Sequence, residues 1–453
     1  MSTYFSEIAY KALLCGKIEP NGGDQLDSIW NRQITLPHFS PIHSDMQTDV
    51  LIIGGGMTGL LCAHYLRSHG IKCIIAEANT IMNGTSGRTT AKITAQHSLI
   101  YAKLSDTYGA ETAAKYYRAN IAALNAYRKL SEEIPCEFEE QDAYLYSEDD
   151  PESLKEEYRA IRAFGGETEY LDAVPLPFQS GASLRMPHQA QFHSLKFASE
   201  LIRDLEIYEH TRVLKLHGTT AVTKYGKIKA GHVIVATHYP FLRFRGAYPI
   251  KLYQQRSYVL ALEGASIPPG MYLGTDPDGL SFRRSGPYVL LGGNSHRTGT
   301  GTDGWKQLRE AASAYFPDAK EAAAWATQDC MSLDGIPYIG AYGKNTFVAT
   351  GYNKWGMTSS MVAATLLSDA IRGYDNPWKD MFNPARTVLH PQLAVNAAES
   401  TKNLLTPSSR RCPHLGCALK WNEAEHTWDC PCHGSRFGED GHLINDPAQH
   451  GLK

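Results

Sequence analysis

Short runs of consecutive apolar residues recur along the chain, each ending in a glycine turn or a polar segment. The first, residues 49–53, leads into a glycine-rich turn over 54–59 and an apolar helical pattern over 60–66. A second apolar run over 72–76 ends at Glu77. Runs of this length fit strands that are buried on both faces of a parallel sheet. The order predicts a βαβ unit with its glycines in the first turn.

Later segments continue this alternation. Apolar residues at helical spacing predict one or two helices over 98–130 and another over 152–164. Alternating positions predict a long strand over 248–262, with further strands near 281–282 and 288–292. This second group of strands predicts a second sheet, separate from the βαβ unit.

Three further segments complete the pattern. Residues 231–237 read as another buried strand. A strand over 211–216 is expected from the family resemblance given below. Residues 346–350 form an apolar run into a glycine turn, and a helix is expected to begin near Met357. The polar, Ser/Thr-rich residues 386–411 favour a linker.

Composition limits the classes of function. A chain of 453 residues with net charge −3 suggests two or three domains and gives no reason to expect nucleic acid or an anionic membrane as partner. No apolar run is long enough to span a bilayer, and the first residues lack a signal-peptide pattern. Nine cysteines in a chain this long do not form a disulfide scaffold. A cytoplasmic location is the expectation.

The first glycine turn carries a dinucleotide fingerprint. Gly54, Gly56 and Gly59 follow a strand and open a helix, and Glu77 ends the next strand, 23 residues after Gly54. Free N–H groups at the helix N-terminus suit a pyrophosphate, and the acid suits a ribose hydroxyl. The fingerprint alone does not distinguish NAD from FAD.

The last 42 residues contain two short Cys/His motifs. Cys412 and His414 form C-x-H, and after fifteen residues Cys430 and His433 form C-x-x-H. Two thiolates and two imidazoles can hold the two irons of a [2Fe–2S] cluster. The same four residues could instead hold a structural zinc ion.

This tail resembles the Rieske iron–sulfur family, in which the sequence CPCHGS follows the first box. The resemblance implies that Cys417 and Cys432 form a disulfide between the cluster loops. It places Ser435 as a hydrogen-bond donor to the cluster, whereas Phe437 replaces the tyrosine of high-potential members, so a lower potential is expected. Only about 25 residues separate the tail from the preceding domain. The usual base of the domain is therefore expected to be missing, and the subdomain should lean on its neighbour.

The rest of the chain resembles the D-amino-acid oxidase and glycine oxidase family of flavoproteins. The resemblance rests on the hydroxyl-rich segment 83–97, on 333–340 and 346–360, and on the fingerprint. It implies FAD as the nucleotide, and a helix whose N-terminus faces the flavin ring. The residues expected to contact FAD are Gly54, Gly56, Met57, Thr58, Gly59, Glu77, Thr85, Ser86, Thr89, Thr90, Lys92, Val213, Ala236, Gly351, Gly356, Met357 and Thr358.

The expected fold is thus an α/β, doubly wound FAD domain of the glutathione-reductase type with an inserted antiparallel substrate sheet and a small all-β Rieske subdomain. The expected divisions are an N-terminal extension over 1–27, the flavoprotein over 28–385, the linker over 386–411 and the Rieske subdomain over 412–453. The inserted part is expected over about 140–195 and 245–325.

Substrate contacts are harder to assign. Arg256 on the long strand could clamp a carboxylate bidentately, with Tyr258 and Tyr253 beside it. It could equally be a solvated strand residue or an ion-pair partner. His97 could orient the substrate or be structural, and Lys92 is expected to contact FAD.

The two cofactors together suggest an amine or amino-acid dehydrogenase. Its electrons would pass singly through the cluster to a ferredoxin or cytochrome. Two alternatives remain open, namely a relay between electron carriers and a plain FAD oxidase with a structural tail.

Overall fold

A computed structural model describes residues 27–176, 181–241, 246–301, 303–386 and 389–453. The extension expected over 1–27 lies outside these ranges apart from Asp27. The α-helices are α1 (Ile29–Gln33), α2 (Met57–Ser68), α3 (Ile100–Tyr108), α4 (Ala110–Ser131), α5 (Pro151–Ala163), α6 (Ser194–Leu201), α7 (Tyr248–Lys251), α8 (Lys306–Tyr315), α9 (Gly356–Arg372), α10 (Lys379–Phe382) and α11 (Pro391–Leu405).

The strands form three sheets. In chain order they are β1 (Met46–Ile53), β2 (Cys73–Ala76), β3 (Lys92–Ile93), β4 (Glu139–Ser147), β5 (Glu169–Leu171), β6 (Ala182–Gln191), β7 (Glu206–Tyr208), β8 (Lys215–His217), β9 (Thr220–Val222), β10 (Lys227–Val235), β11 (Leu252–Glu263), β12 (Met271–Gly274), β13 (Ser281–Ser285), β14 (Tyr288–Arg297), β15 (Lys320–Ser332), β16 (Tyr338–Ala341), β17 (Thr346–Thr350), β18 (Lys420–Asn422), β19 (Thr427–Asp429), β20 (Arg436–Gly438) and β21 (Leu443–Asn445).

The first sheet forms the dinucleotide-binding domain. Its order is β16-β17-β10-β1-β2-β7, with β9 added to β10 and β8 to β9. Strands β17, β10, β1, β2 and β7 run parallel. The last four residues of β1 and all of β2 are buried, as expected for central parallel strands. Helices α2 and α9 pack against each other on one face of the sheet. Because they follow the parallel strands β1 and β17, both helices begin at the same edge of the sheet.

The second sheet is the inserted substrate sheet, in the order β15-β11-β14-β13-β12-β4-β6-β3 with β5 added to β6. Its neighbours are antiparallel except β12 and β4, which run parallel. The long strand β11 pairs with both β14 and β15, so its side chains alternate between the two faces of the sheet.

The third sheet is small and lies within the last 42 residues. Its strand order is β18-β19-β20-β21. Its core contains Leu419, Phe437 and Ala448 beside the buried cysteines. Upstream, residues 386–411 are not an extended linker, because α11 occupies 391–405. Asn396 of this helix is buried and donates to the carbonyl of Ile250 (3.1 Å), which fixes the helix on the flavoprotein.

Two local predictions were wrong. Residues 211–214 form no strand, because Thr211 and Leu214 use their N–H groups in irregular bonds, and β8 begins only at Lys215. Residues 248–251 form a short helix with Pro249 in its first turn before β11 begins at Leu252. In the part of the chain described here, none of the helices has the length and apolar character required to span a membrane.

Candidate functional site: a dinucleotide cavity and a cluster site in contact

A cavity of about 840 Å³ begins at the β1–α2 turn and extends to the inserted sheet. The glycines of the turn are needed for packing. Gly54 has a positive φ of 112°, and a Cβ there would lie 2.4 Å from the Ala236 carbonyl oxygen. A Cβ on Gly59 would lie 2.0 Å from the carbonyl oxygen of Gly54. The turn therefore keeps backbone N–H groups of α2 open to an anion.

Fifteen of the expected FAD-contacting residues line this cavity, and two do not. Gly59 packs beneath the turn against Gly54. Thr358 turns to His97 instead, at 3.1 Å from its Nε2. The residues that do line the cavity are Gly54, Gly56, Met57, Thr58, Glu77, Thr85, Ser86, Thr89, Thr90, Lys92, Val213, Ala236, Gly351, Gly356 and Met357.

Glu77 lies where the second strand ends. Its carboxylate accepts hydrogen bonds from the N–H groups of Gly55 (2.7 Å) and Asn79 (2.8 Å), while the side chain also borders the cavity. Burial raises the pKa of Glu77, and the two backbone donors partly offset this. The acid is thus held in place beside the glycine turn, as a ribose-binding carboxylate requires.

One wall of the cavity, beside Glu77, comes from the last part of the chain. Residues 442–446 and Gln449, in and after the third sheet, line the same cavity as Glu77. Asp446 forms an ion pair with Arg212 (2.9 Å) across this junction. Neither contact was visible in the sequence, because it depends on how the small sheet docks.

Lys92 points into the cavity from β3. Its ammonium donates to the Tyr272 carbonyl (2.9 Å) and the Ser281 hydroxyl (3.0 Å). Burial and the charge of Arg283 lower the pKa of Lys92 to about 7. A lysine so placed can change its proton content near neutral pH.

His97 does not line the large cavity. Its Nδ1 bonds the Tyr116 hydroxyl (2.8 Å), its Nε2 bonds the Thr94 carbonyl (2.8 Å), and its ring stacks on Trp355 at 4.6 Å. Burial lowers the pKa of His97 to about 3, so the ring is neutral. These contacts position the residues that precede α9, and no polar atom of His97 is left to reach a substrate.

The expected substrate clamp is occupied by the protein itself. Arg256 and Tyr258 border the cavity, but the Arg256 guanidinium binds Glu425 at two points and the Tyr258 hydroxyl donates to Glu425 (3.1 Å). Arg256 and Glu425 are 3% and 2% exposed. Side chains alternate between the two faces of β11, so Arg256 and Tyr258 share the face that the third sheet covers. Ser257, between them in sequence, lies on the other face. The prediction that Arg256 clamps a substrate carboxylate was therefore wrong.

The four expected cluster ligands come together in the third sheet's loops. Cys412, His414, Cys430 and His433 are all buried. The neighbouring Cys430 thiol holds the pKa of Cys412 below its ordinary value. The imidazole rings of His414 and His433 lie 4.9 Å apart.

The hydrogen bonding of His433 indicates whether these residues can hold a cluster. Its Nε2 donates to the Pro249 carbonyl (3.0 Å), whereas its buried Nδ1 has no hydrogen-bond partner among the described residues. An unsatisfied buried nitrogen beside two buried thiols is costly unless it binds a metal. The donor set of two thiolates and two imidazoles fits a Rieske [2Fe–2S] cluster.

The remaining two cysteines of this region are joined. Cys417 and Cys432 form a disulfide between the two cluster loops, and their sulfur atoms lie within 4.8 Å of the sulfur of Cys430. The other described cysteines, Cys62, Cys73, Cys136 and Cys330, are free and buried.

The second cluster loop rests directly on the inserted sheet. Gly434 has a φ of 85°, and a Cβ there would lie 2.7 Å from Cβ of Gln254. Gln328 donates to the Gly434 carbonyl (2.9 Å), and Arg297 donates to the carbonyls of Pro431 (2.9 Å) and Cys432 (3.2 Å). Side chains of the inserted sheet thereby hold the backbone of the cluster loop, and the Arg256–Glu425 ion pair joins the inserted sheet to the third sheet nearby.

Comparison with known proteins agrees with both sites. A family model described as FAD dependent oxidoreductase matches residues 49–370, and one described as Rieske [2Fe-2S] domain matches residues 382–453. A Rieske 2Fe-2S iron-sulfur protein of Bacillus subtilis strain 168 is 36% identical, with 94% of this chain and 97% of that protein covered.

Solved structures share the fold of the larger part. Glycine oxidase from Geobacillus kaustophilus matches with a TM-score of 0.65 and 20% identity over 76% of this chain and 100% of that one. L-proline dehydrogenase from P. horikoshii matches with a TM-score of 0.64 and 17% identity over 76% of this chain and 98% of that one. The enzyme's cofactors are FAD and a [2Fe–2S] cluster, and the chain belongs to the FAD dependent oxidoreductase family with a C-terminal Rieske domain.

Proposed function

We propose that this protein dehydrogenates a small amine or amino acid and delivers the electrons, one at a time, through the cluster site to an external one-electron carrier. The observation that supports this proposal most directly is a continuous hydrogen-bonded contact between the two cofactor sites. His238 lines the FAD cavity and bonds the Gln254 side-chain oxygen (3.0 Å). The amide of Gln254 donates to the carbonyl of the ligand His433 (2.8 Å).

A second contact runs beside the first. Tyr239 lies three residues after Ala236, which borders the cavity, and its ring lies 6.2 Å from the ring of His414 and 6.2 Å from that of His433. Both histidines therefore face the flavoprotein. This arrangement suits electron transfer between the sites within one chain.

When bound, FAD accepts two electrons as a hydride and can release them singly, whereas a Rieske cluster carries one electron at a time. In the proposed reaction the amine carbon loses a hydride and the nitrogen loses a proton, which gives an imine. Two electrons then leave to two equivalents of a one-electron carrier such as a ferredoxin or a cytochrome, and two protons are released to water.

The residues of the chain support this reaction by position and charge. Helix α9 begins at Gly356 beside the cavity, so its free N–H groups favour negative charge on whatever ring lies there. Residues in and after the third sheet line the cavity beside Glu77. Glycine oxidase and L-proline dehydrogenase, by their names, act on small amino acids, which is the substrate class proposed here.

Anaerobic mixing of the loaded enzyme with a panel of amines and amino acids tests the proposal. We expect at least one compound to bleach the flavin absorbance and then to reduce an added one-electron acceptor. Failure across the panel, combined with rapid bleaching by NADH or a reduced carrier protein, would indicate a relay instead. Rapid reoxidation by oxygen with the cluster left oxidised would indicate a plain oxidase.

A further inference from the structure

Asp329 is an acidic side chain in the large cavity that has no bonded partner among the described residues. Asp329 lies on β15, in register with Gln255 of β11, and its accessible part lines the cavity. In the described part of the chain, no hydrogen bond or ion pair reaches its carboxylate. Burial raises the pKa of Asp329 in spite of the nearby positive charge of Lys354. A carboxylate that is partly enclosed and has no bonded donor is stabilised when a ligand supplies one.

Asp329 lies where a ligand in the cavity can reach it. The preceding residue, Gln328, accepts a hydrogen bond from Thr85 through its carbonyl (2.7 Å), which brings the strand against the expected FAD loop. Gly351 and Lys354, which precede α9, border the same cavity. Asp329 therefore lies near the expected FAD loop and near Lys354, which precedes α9.

The nearest basic side chain is already engaged. Lys354 donates to the Ser295 hydroxyl (2.6 Å), which in turn lies 2.9 Å from that of Ser257. Arg256, the other nearby cation, is bound by Glu425 on the opposite face of the strand. Lys354 acts on Asp329 through its charge without a hydrogen bond, and FAD offers neutral donors only, so a cationic ligand is the partner that suits this carboxylate best.

We infer that Asp329 binds the ammonium group of the substrate, which makes the substrate an amine that is cationic at neutral pH. This inference rests on the proposed function, since it names the substrate's recognition group at the same site. The carboxylate provides hydrogen-bond acceptors for N–H donors, and a bond between two charged partners is about twice as strong as a neutral one. An oxidisable carbon next to the bound nitrogen is thereby held beside the FAD site.

The test uses the loaded enzyme without turnover. Tert-butylammonium and pivalate have nearly the same shape and opposite charge, and tert-butylammonium has no hydrogen on the carbon next to nitrogen. Each is titrated anaerobically while the flavin spectrum is recorded. We expect tert-butylammonium to bind more tightly than pivalate.

Two variants separate charge recognition from general damage. Asp329→Asn should weaken tert-butylammonium binding about ten- to hundredfold while keeping the FAD content of the enzyme. Lys354→Met removes the neighbouring opposite charge and should leave this binding intact or strengthen it. Tighter binding of pivalate, no binding of tert-butylammonium, or equal binding to wild type and Asp329→Asn would overturn the inference.

The two proposals fail separately. If no amine reduces the flavin but tert-butylammonium binds through Asp329, the dehydrogenase proposal fails and the ammonium site stands. If amines reduce the flavin equally well in Asp329→Asn, without a rise in KM, the ammonium site fails and the dehydrogenase stands.

Discussion

Arg256 of the inserted sheet and Glu425 of the Rieske domain form a buried ion pair with two hydrogen bonds. One joins Arg256 Nε to Glu425 Oε1 at 3.0 Å, and the other joins Nη2 to Oε2. Arg436 also contacts Glu425 (2.8 Å) and in turn bonds Asp429 (2.9 Å). This network holds the cluster domain at a fixed place on the flavoprotein, which is what electron transfer over a short path requires.

Replacing Glu425 by Gln should destabilise the protein strongly. Arg256 would remain buried without an anion, whereas Arg436 would keep Asp429, so we expect a loss of about 3–5 kcal/mol in the free energy of unfolding. Denaturant unfolding followed by Trp fluorescence measures this loss. The matched control is Glu321→Gln, because its partner Arg309 is half exposed and the pair should contribute less than about 1 kcal/mol. Equal effects of the two substitutions would contradict the proposed docking contact.

The same pair predicts a dependence on pH. Burial would raise the pKa of Glu425, but the charges of Arg256 and Arg436 hold it well below its ordinary value. Because the folded pKa is lowered, the stabilisation is present above the ordinary pKa of about 4.3 and is lost as pH falls towards the folded value. The difference in unfolding free energy between wild type and Glu425→Gln should therefore narrow below about pH 4. A difference that stays constant from pH 7 to pH 3 would count against this assignment.

Substitution of Gly54 by Ala should abolish tight FAD binding. The new Cβ would meet the Ala236 carbonyl oxygen and displace the turn that opens the helix N-terminus. Gly70→Ala is the matched control, since Gly70 also has a positive φ (75°) but has nothing within 4 Å of the added Cβ. Both variants pay a conformational cost of about 1–2 kcal/mol, but only Gly54→Ala should be isolated without flavin. Absorbance near the flavin maximum, relative to protein, gives the result.

The Rieske domain should also help the flavoprotein to retain FAD. Asp446→Asn removes the ion pair with Arg212 at the cavity wall beside Glu77, so we expect FAD to dissociate several-fold faster while the iron content is unchanged. Release is followed by the rise of free-flavin fluorescence after dilution. Glu439→Gln, on an exposed side chain of the same domain, serves as the control. Equal release rates from the two variants would show that this wall does not hold FAD.

Sequence reasoning succeeded where a function depends on neighbouring residues. The glycine turn, Glu77 and the two Cys/His motifs are local patterns whose spacing fixes their geometry, and the structure brings each group together. The helix that begins at Gly356 was expected within one residue, because an apolar strand and a glycine turn precede it.

It failed where a side chain's role depends on which face of a strand is covered. Arg256 was assigned to the substrate because arginine suits a carboxylate, yet the third sheet covers that face and supplies Glu425. Asp329 was missed for the same reason, since nothing near it in the sequence shows that it lacks a partner. Helix α11, within the segment expected to be a linker, was not predicted because its polar, Ser/Thr-containing stretch gives only a weak helical signal. Contacts such as that of Asn396 stabilise it.

The most direct test of the account is low-temperature electron paramagnetic resonance of the loaded enzyme, frozen after anaerobic reduction by an amine that bleaches the flavin. We expect the signal of a reduced Rieske cluster to grow as the flavin is bleached. In Cys412→Ser the flavin should bleach without this signal, because the variant lacks a cluster ligand, while Cys136→Ser should behave as wild type. A bleached flavin beside a cluster that stays oxidised, or zinc in place of iron in the wild-type protein, would contradict the proposed electron path.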